Sequence, residues 1–328
     1  MYFNRMFLVL TEECDSRCRL CDYWLKKQPA RLSIDFIYNV VCPLIQRNKI
    51  QLVCISGGEP TMHPDLPAIM KIIAEAGSRI TLTTSTTRLG DHIHKIDNLV
   101  DHYLISLDGA DDETYRASRG VNMFHHVVNW IQYIVDRGQA EVAVSCVLQK
   151  SNIRKTKELY ELCVKLGVKR LFFRVPDLKS HSFGREMRVP KRTLNTLMME
   201  HTDIEILRQD LDFLQEIDTK KRILGQSRQN LFRKVQWLYS IVENREYDEQ
   251  DAICDVPLTS FVIEPNQILK PCFYLPQRQF IDESVLKFGE LVDAPVFGDV
   301  YTEILNNSEY RKMWCHSCQQ FDGQKHPI

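Results

Sequence analysis

The strongest constraint on this chain is a rhythm of short apolar runs separated by helix-like stretches. Six runs stand out: RMFLVL (5–10), IQLVCIS (50–56), SRITLTT (78–84), HYLISLD (102–108), EVAVSCVLQ (141–149) and KRLFFRV (169–175). They are rich in Val, Ile, Leu and Phe with little alternation, as strands buried on both faces are. Between them, SIDFIYNVVCPLIQRN offers Ser33 as an N-cap and gathers Ile34, Ile37, Val41, Leu44 and Ile45 on one face. Two other helical stretches end on Gly138 and Gly167, a common way to stop a helix. Strand–helix units in series imply a parallel sheet with right-handed crossovers. Six units fall short of a closed eight-stranded barrel, so the expected fold is α/β, and a partial (β/α)6 TIM-like barrel and an open doubly wound sheet both fit. The motifs taken up below favour the partial barrel.

The 328 residues suggest roughly two domains. Residues 1–180 hold the strand–helix units; residues 181–251 are charged and helical in pattern, a connector without strand runs. Residues 252–328 change texture again, with a hairpin in FVIEPNQILKPC, a helix-like stretch and a closing CHSC. A net charge of −1 gives no footprint for nucleic acid. No apolar run is long enough for a membrane span, and the N-terminus reads as a strand rather than a signal peptide, so a cytoplasmic location is expected.

Eleven cysteines are many for a reducing compartment, where clusters of them bind metal or do redox work. Cys42, Cys54, Cys146 and Cys163 stand singly in apolar surroundings and suit core packing. The other seven fall at the two ends of the chain. Cys14, Cys18 and Cys21 follow the first strand with Cys-x3-Cys-x2-Cys spacing, where parallel α/β folds place their chemistry. Structural zinc would want a fourth Cys or His, and the nearest histidine in sequence is His63. A 4Fe–4S cluster accepts three thiolates and leaves one iron open to a small ligand, which suits the spacing better.

This spacing after strand one, with GGEP at 57–60 and SLDG at 106–109, resembles the radical SAM enzymes. The resemblance implies that Cys14, Cys18 and Cys21 hold a 4Fe–4S cluster whose open iron is chelated by S-adenosylmethionine. Reductive cleavage then gives a 5′-deoxyadenosyl radical that abstracts a substrate hydrogen. It further implies that Gly57, Gly58 and Glu59 meet the methionine amino group and that Ser106 contacts the ribose. Leu20, where relatives have an aromatic, would meet the adenine through its backbone, with Tyr23 and Trp24 as aromatic cover. Thr84 lies in LTTSTT (82–87), where relatives often carry Thr-Asn-Gly and Ser85 and Thr86 replace the last two; this polar loop would line the cofactor pocket. Gln149 and Arg174, at the ends of strands five and six, are candidates for adenine and carboxylate contacts. Asp108 is a candidate base or ribose contact against a turn-capping role. Arg116 and Arg119 either orient substrate or pair with Asp111, Asp112 and Glu113.

The second group is Cys254, Cys272, Cys315 and Cys318, spaced x17, x42 and x2. By spacing alone zinc is a rival. The segment resembles the twitch form of the SPASM domain, which implies one auxiliary 4Fe–4S cluster ligated by all four. In the hairpin, Gln267 stands where relatives carry Gly, and Asn266 is expected to take the left-handed turn position instead.

The expected activity is oxidation or epimerisation of a small biosynthetic metabolite such as a sugar, aminocyclitol or nucleoside. Cys54 or Cys146 would serve as hydrogen donor in the second case if it faces the barrel interior. The alternative is maturation of a ribosomally made peptide; relatives that do this often carry an added N-terminal domain, whereas this sequence opens on strand one. A flavodoxin- or ferredoxin-type electron donor is expected, and no nucleic-acid or membrane partner. A non-catalytic metal-binding protein is the distant alternative.

Overall fold

Each of the six apolar runs is a strand. A computed structural model of the chain describes residues 3–178, 180–185, 199–243, 256–276, 278–281 and 295–306. The strands are β1 (Arg5–Thr11), β2 (Leu52–Gly57), β3 (Arg79–Thr84), β4 (His102–Ser106), β5 (Glu141–Val147) and β6 (Arg170–Arg174). They pair in parallel, in chain order, from β1 to β6. The sheet is open, as a partial barrel requires, and it goes further than six strands. β7 (Ser260–Ile263) adds in parallel to the free side of β1, and β8 (Ile268–Lys270) and β9 (Gln279–Phe280) continue it antiparallel. The C-terminal hairpin is thus an extension of the barrel sheet.

The helices take the places the apolar spacing gives them. The first, α1, begins at Ile34–Phe36, passes through a π-helical stretch Ile37–Val41 and ends at Cys42–Asn48. Ser33 caps it, accepting the Phe36 N–H at 3.1 Å. Pro43 has no N–H for the turn before it, which accounts for the wider π turn at that point. Then come α2 (Leu66–Glu75), α3 (Ile93–Ile96), α4 (Asp112–Arg119), α5 (Phe124–Arg137) and α6 (Thr156–Leu166). α5 and α6 stop at Gly138 and Gly167. Alternate strand residues, such as Val53 and Ile55 or Tyr103 and Ile105, are buried in one core with Ile37, Ile69 and Ile131 of these helices. The opposite faces carry Cys54, Ser56, Thr83, Ser106 and Ser145, half-buried along the inside of the open barrel.

The connector is helical where it is described. α7 (His201–Lys221) and α8 (Arg228–Val242) pack on each other, and α7 lies on α6. Along the inner face of α7, Asp203, Asp210 and Asp218 are buried and receive Arg154, Thr156 and Tyr160. The loop between α7 and α8 covers the free edge of β6. Leu171 donates to Ile223 O at 2.6 Å and accepts from Gly225 at 2.8 Å, and the Phe173 N–H is taken by Gln226. An open parallel sheet leaves such an edge, and covering it removes a template for aggregation.

At the C-terminal hairpin, Gln267 itself adopts the left-handed conformation, φ +63°, and its N–H closes the turn on Glu264 O. This corrects the expectation for Asn266: the residue that replaces the usual glycine keeps the glycine's backbone. A short helix, α9 (Val256–Thr259), precedes β7, and α10 (Pro295–Asn306) is the last described element.

Candidate active site

The loop after β1 carries Cys14, Cys18 and Cys21, and four neighbours fix its course. From β2, Gly58 donates its N–H to Thr11 O at 2.8 Å, and the Glu59 N–H goes to Glu13 O at 2.6 Å. A Cβ on Gly58 would overlap the Glu13 carbonyl and come within 2.8 Å of Glu12 O. The glycine is there because two backbones touch. From the end of β3, Thr87 binds Asp15 at 2.7 Å. From α4, the Arg119 carbonyl accepts the Arg17 N–H at 2.9 Å, and Gly120 has left-handed backbone and lies against Arg17 so closely that a side chain would collide with it. From beyond β6, Phe183 O accepts the Asp22 N–H at 2.9 Å and faces the Cys21 thiol at 3.5 Å.

Glu59 is fully buried, and its carboxylate is saturated. Oε1 accepts from the Thr61 N–H (3.1 Å), the Thr61 hydroxyl (2.7 Å) and the Thr84 hydroxyl (2.6 Å); Oε2 accepts from the Ser85 N–H (2.7 Å) and hydroxyl. Glu59 and Thr84 therefore form a clamp between β2 and β3, and their side-chain polar atoms are engaged within it. The clamp sets the 85–87 turn, where Thr86 has φ +64° and passes its carbonyl to His126.

The thiols sit on an apolar floor. Cys14 and Cys21 pack against Val9, Tyr23 and Val262, with Phe7, Phe183 and Phe273 around them. Burial pushes all three thiols up, and their mutual proximity adds to it for Cys14, to about 12, and for Cys21. Without a cation they are protonated at neutral pH; thiolates form there only with a bound metal to offset the charge. Among the described residues, no three His, Cys, Asp or Glu side chains close around a single metal ion. A four-iron cubane takes each thiolate on a separate iron and needs a wider triangle. On the loops that follow β3 and β5 and at the end of α4, Thr86 Oγ1, Gln149 Oε1 and Arg119 Nε are buried without a hydrogen-bond partner. Buried polar atoms in this state ask for a ligand. Three thiols, an apolar floor and unpartnered polar atoms fit a cluster with a polar small molecule beside it.

The remaining expected residues divide. Ser106 lies at the end of β4 on the inside face, level with Ser145 of β5. Arg174 closes β6 with its guanidinium 5.0 Å from the Phe172 ring centroid. Leu20 gives its carbonyl to Arg185 at 3.3 Å. Tyr23 is buried in the floor, and Trp24 is exposed with its indole N–H on Cys18 O at 3.2 Å. Asp108 is buried with both oxygens engaged, by the Val147 N–H at 2.6 Å and by Arg119 at 3.2 Å. Burial pushes its carboxyl up, and Arg119 and the Val147 N–H oppose that. Arg119 thus turns to Asp108, whereas Asp111 caps α4 through Thr114 and Asp112 faces His125. Cys146 corrects the expectation of an interior hydrogen donor. It alternates with Val142 and Val144 on the helix side of β5 and lies near Cys163 in the core. Cys54 occupies the inside face.

Of the C-terminal ligand candidates, Cys254, Cys315 and Cys318 lie outside the described residues. Cys272 is buried with Tyr274, Leu275 and Val300, with Phe183 and Phe273 against it. The segment Ser180–Arg185, which the sequence reading passed over, joins the two cysteine sites. Phe183 stacks on Phe273 at 6.0 Å, Ser182 binds Phe273 O, and Arg185 is buried against Asp177. Phe183 carries a left-handed backbone, φ +62°, and nothing in SHSFGR announces it except the following glycine.

The Radical SAM superfamily model matches residues 8–163. A protein named probable GTP 3′,8-cyclase from Saccharolobus islandicus is 26% identical over 226 residues, covering 66% of this chain and 66% of its own length, just short of two thirds. GTP 3′,8-cyclase from Tolumonas auensis is 26% identical over 155 residues, 45% of this chain and 46% of that one. Among solved structures, Streptococcus suis SuiB bound to precursor peptide SuiA has a TM-score of 0.69 at 16% identity, covering 97% of this chain and 71% of that one. Native anSMEcpe with bound AdoMet has a TM-score of 0.68 at 15% identity, covering 98% and 91%. The fold is that of these proteins, and the motif-bearing half matches the family directly: this chain carries a radical SAM domain, of a superfamily that uses a 4Fe–4S cluster and S-adenosylmethionine.

Proposed function

We propose that this chain is a radical SAM enzyme that oxidises or epimerises a small biosynthetic metabolite. The observation that carries this reading is the loop of Cys14, Cys18 and Cys21, with Cys14 and Cys21 on an apolar floor, at the strand ends where buried polar atoms lack partners. When bound, the cluster and S-adenosylmethionine supply a reductive cleavage whose 5′-deoxyadenosyl radical removes a hydrogen atom from substrate. The chain's own residues hold and shield that chemistry. Cys14, Cys18 and Cys21 ligate three irons; the Gly57–Gly58 backbone braces the loop and flanks the methionine end; Ser106 and Gln149 face the nucleoside. Cys272, with Cys254, Cys315 and Cys318, would hold an auxiliary 4Fe–4S cluster able to accept an electron in an oxidation, and an electron donor of the flavodoxin or ferredoxin type would serve the first cluster.

The relatives by sequence are named for a nucleotide, which favours a small substrate. The SuiB title names a precursor peptide, which keeps peptide maturation as the second reading. For epimerisation, the interior Cys54 is the donor this fold offers. Burial holds its thiol up at about 11, so the sulfur keeps its hydrogen at neutral pH. The test is anaerobic turnover of reconstituted protein with reductant, in deuterated water, against candidate metabolites and peptides. Release of 5′-deoxyadenosine that rises with a small molecule supports the reading; a rise with peptides alone replaces it. Deuterium in the product that disappears in Cys54→Ala marks epimerisation, and product two hydrogens lighter marks oxidation.

A further inference from the structure

We propose that Arg119 is a positioning residue for the cluster site, a fixed buried cation beside Cys18 that favours the reduced state of the iron–sulfur centre. This rests on the assignment of Cys14, Cys18 and Cys21 as cluster ligands. Arg119 is the last residue of α4, and its carbonyl is bonded to the N–H of Arg17, the residue before Cys18. Gly120 has no side chain to hold the two backbones apart. The helix end is therefore locked to the cysteine loop.

The side chain turns inward. Nη1 binds Asp108 Oδ2 at 3.2 Å, and Nε is shut off from water with no acceptor among the described residues. Asp108 does not move with it: its other oxygen is held by the Val147 N–H of β5, and its backbone carbonyl accepts Asn152 Nδ2 at 3.0 Å. The guanidinium is thus held through Asp108 to β5, and its buried Nε–H, near the equally buried Tyr115 hydroxyl, has no acceptor in hydrogen-bond geometry. Such a donor is free to meet the sulfur of a bound cluster.

Arg119 is a buried cation, ion-paired with Asp108 and tied through its backbone to the cysteine loop. Reduction adds a negative charge to a buried centre. A fixed cation in a low-dielectric site stabilises that charge, and hydrogen bonds to cluster sulfur act in the same direction. Asp108 limits the effect by pairing with the guanidinium, so the two residues pull the potential in opposite directions.

That opposition gives the test. Wild type, Arg119→Gln, Arg119→Lys and Asp108→Asn are reconstituted anaerobically, their iron is counted, and the midpoint potential of the S-adenosylmethionine-responsive centre is titrated without the cofactor. Arg119→Gln should disfavour reduction at least tenfold, about 59 mV for one electron. Arg119→Lys should stay within threefold of wild type, and Asp108→Asn should favour reduction. Potentials that do not move, or that move the same way in Arg119→Gln and Asp108→Asn, overturn the proposal. Should Arg119→Gln fail to take up iron, Asp108→Asn decides: a rise supports the proposal, and no change or a fall overturns it. A wild type that holds no reducible centre overturns the ligand assignment itself, and the proposal with it.

Discussion

Thr86 has a backbone that few β-branched residues adopt, with φ +64°, and its hydroxyl is buried without a partner. Left-handed backbone at such a residue costs about 1–3 kcal/mol, and the saturated Glu59 clamp on one side and His126 on the other hold it there. Thr86→Gly should therefore raise stability by about 1 kcal/mol, after roughly 0.4–1 kcal/mol is lost to the freer unfolded chain. Thermal denaturation reads this as a rise of a few degrees; a fall would mean that the hydroxyl makes a bond the fold needs. The sequence already marked this position, because Thr86 stands where relatives often carry glycine. Gln267 repeats the pattern in the hairpin, keeping the glycine's conformation. At this scale, residue identity was easy to read and residue environment was not. Glu59 was visible as an acceptor, but its five donors come from neighbours 2 to 26 positions away. Cys146 differed from Cys54 only in strand parity, and a buried parallel strand shows no alternation from which parity can be read.

At the scale of elements, α4 matters most, because it carries Arg119 to the cysteine loop. Asp111 and Thr114 form a capping box at its start. Burial alone would raise the Asp111 carboxyl, but the Thr114 N–H and hydroxyl and a more distant Lys155 outweigh it and hold it below the ordinary value. A carboxyl lowered on folding adds stability that is fully present above its unfolded pKa, about 3.9, and is lost as pH falls through the lower folded value. Asp111→Ala should thus cost about 1 kcal/mol at neutral pH. The gap from wild type in urea unfolding should stay level from pH 7 down to about 5 and narrow below about 4. A gap that widens in acid would contradict the cap. The strands and helices themselves were legible to within a residue or two at most ends, since apolar runs and terminal glycines set them. The loop at 222–226 that seals β6 was not, because edge coverage depends on which strand ends the sheet, and no local pattern says so.

At the scale of the whole molecule, the described strands form one nine-stranded sheet, with β1 in its interior between β2 and β7. The cysteine loop after β1 and Cys272 after β8 are brought together with only β7 between their strands, and Phe183 and Phe273, stacked on each other, pack against both Cys21 and Cys272. The parallel sheet was legible because six strand–helix units admit few topologies, and the choice of a partial barrel over a doubly wound sheet came from the strand-end motifs. The parallel docking of β7 on β1 was not, since Thr11 and Ser260 lie 249 positions apart and no local pattern pairs their strands. The same holds for Ser180–Arg185, a short polar stretch whose importance comes from what it touches. The central claim, that Cys14, Cys18 and Cys21 hold a cluster with one iron left open, is tested most directly by electron paramagnetic resonance. The spectrum of the reduced Cys272→Ala protein is recorded before and after adding S-adenosylmethionine. The account predicts a reduced-cluster signal that changes on addition and is absent when Cys18→Ala is also introduced. A signal that survives Cys18→Ala, or that ignores S-adenosylmethionine, would contradict it.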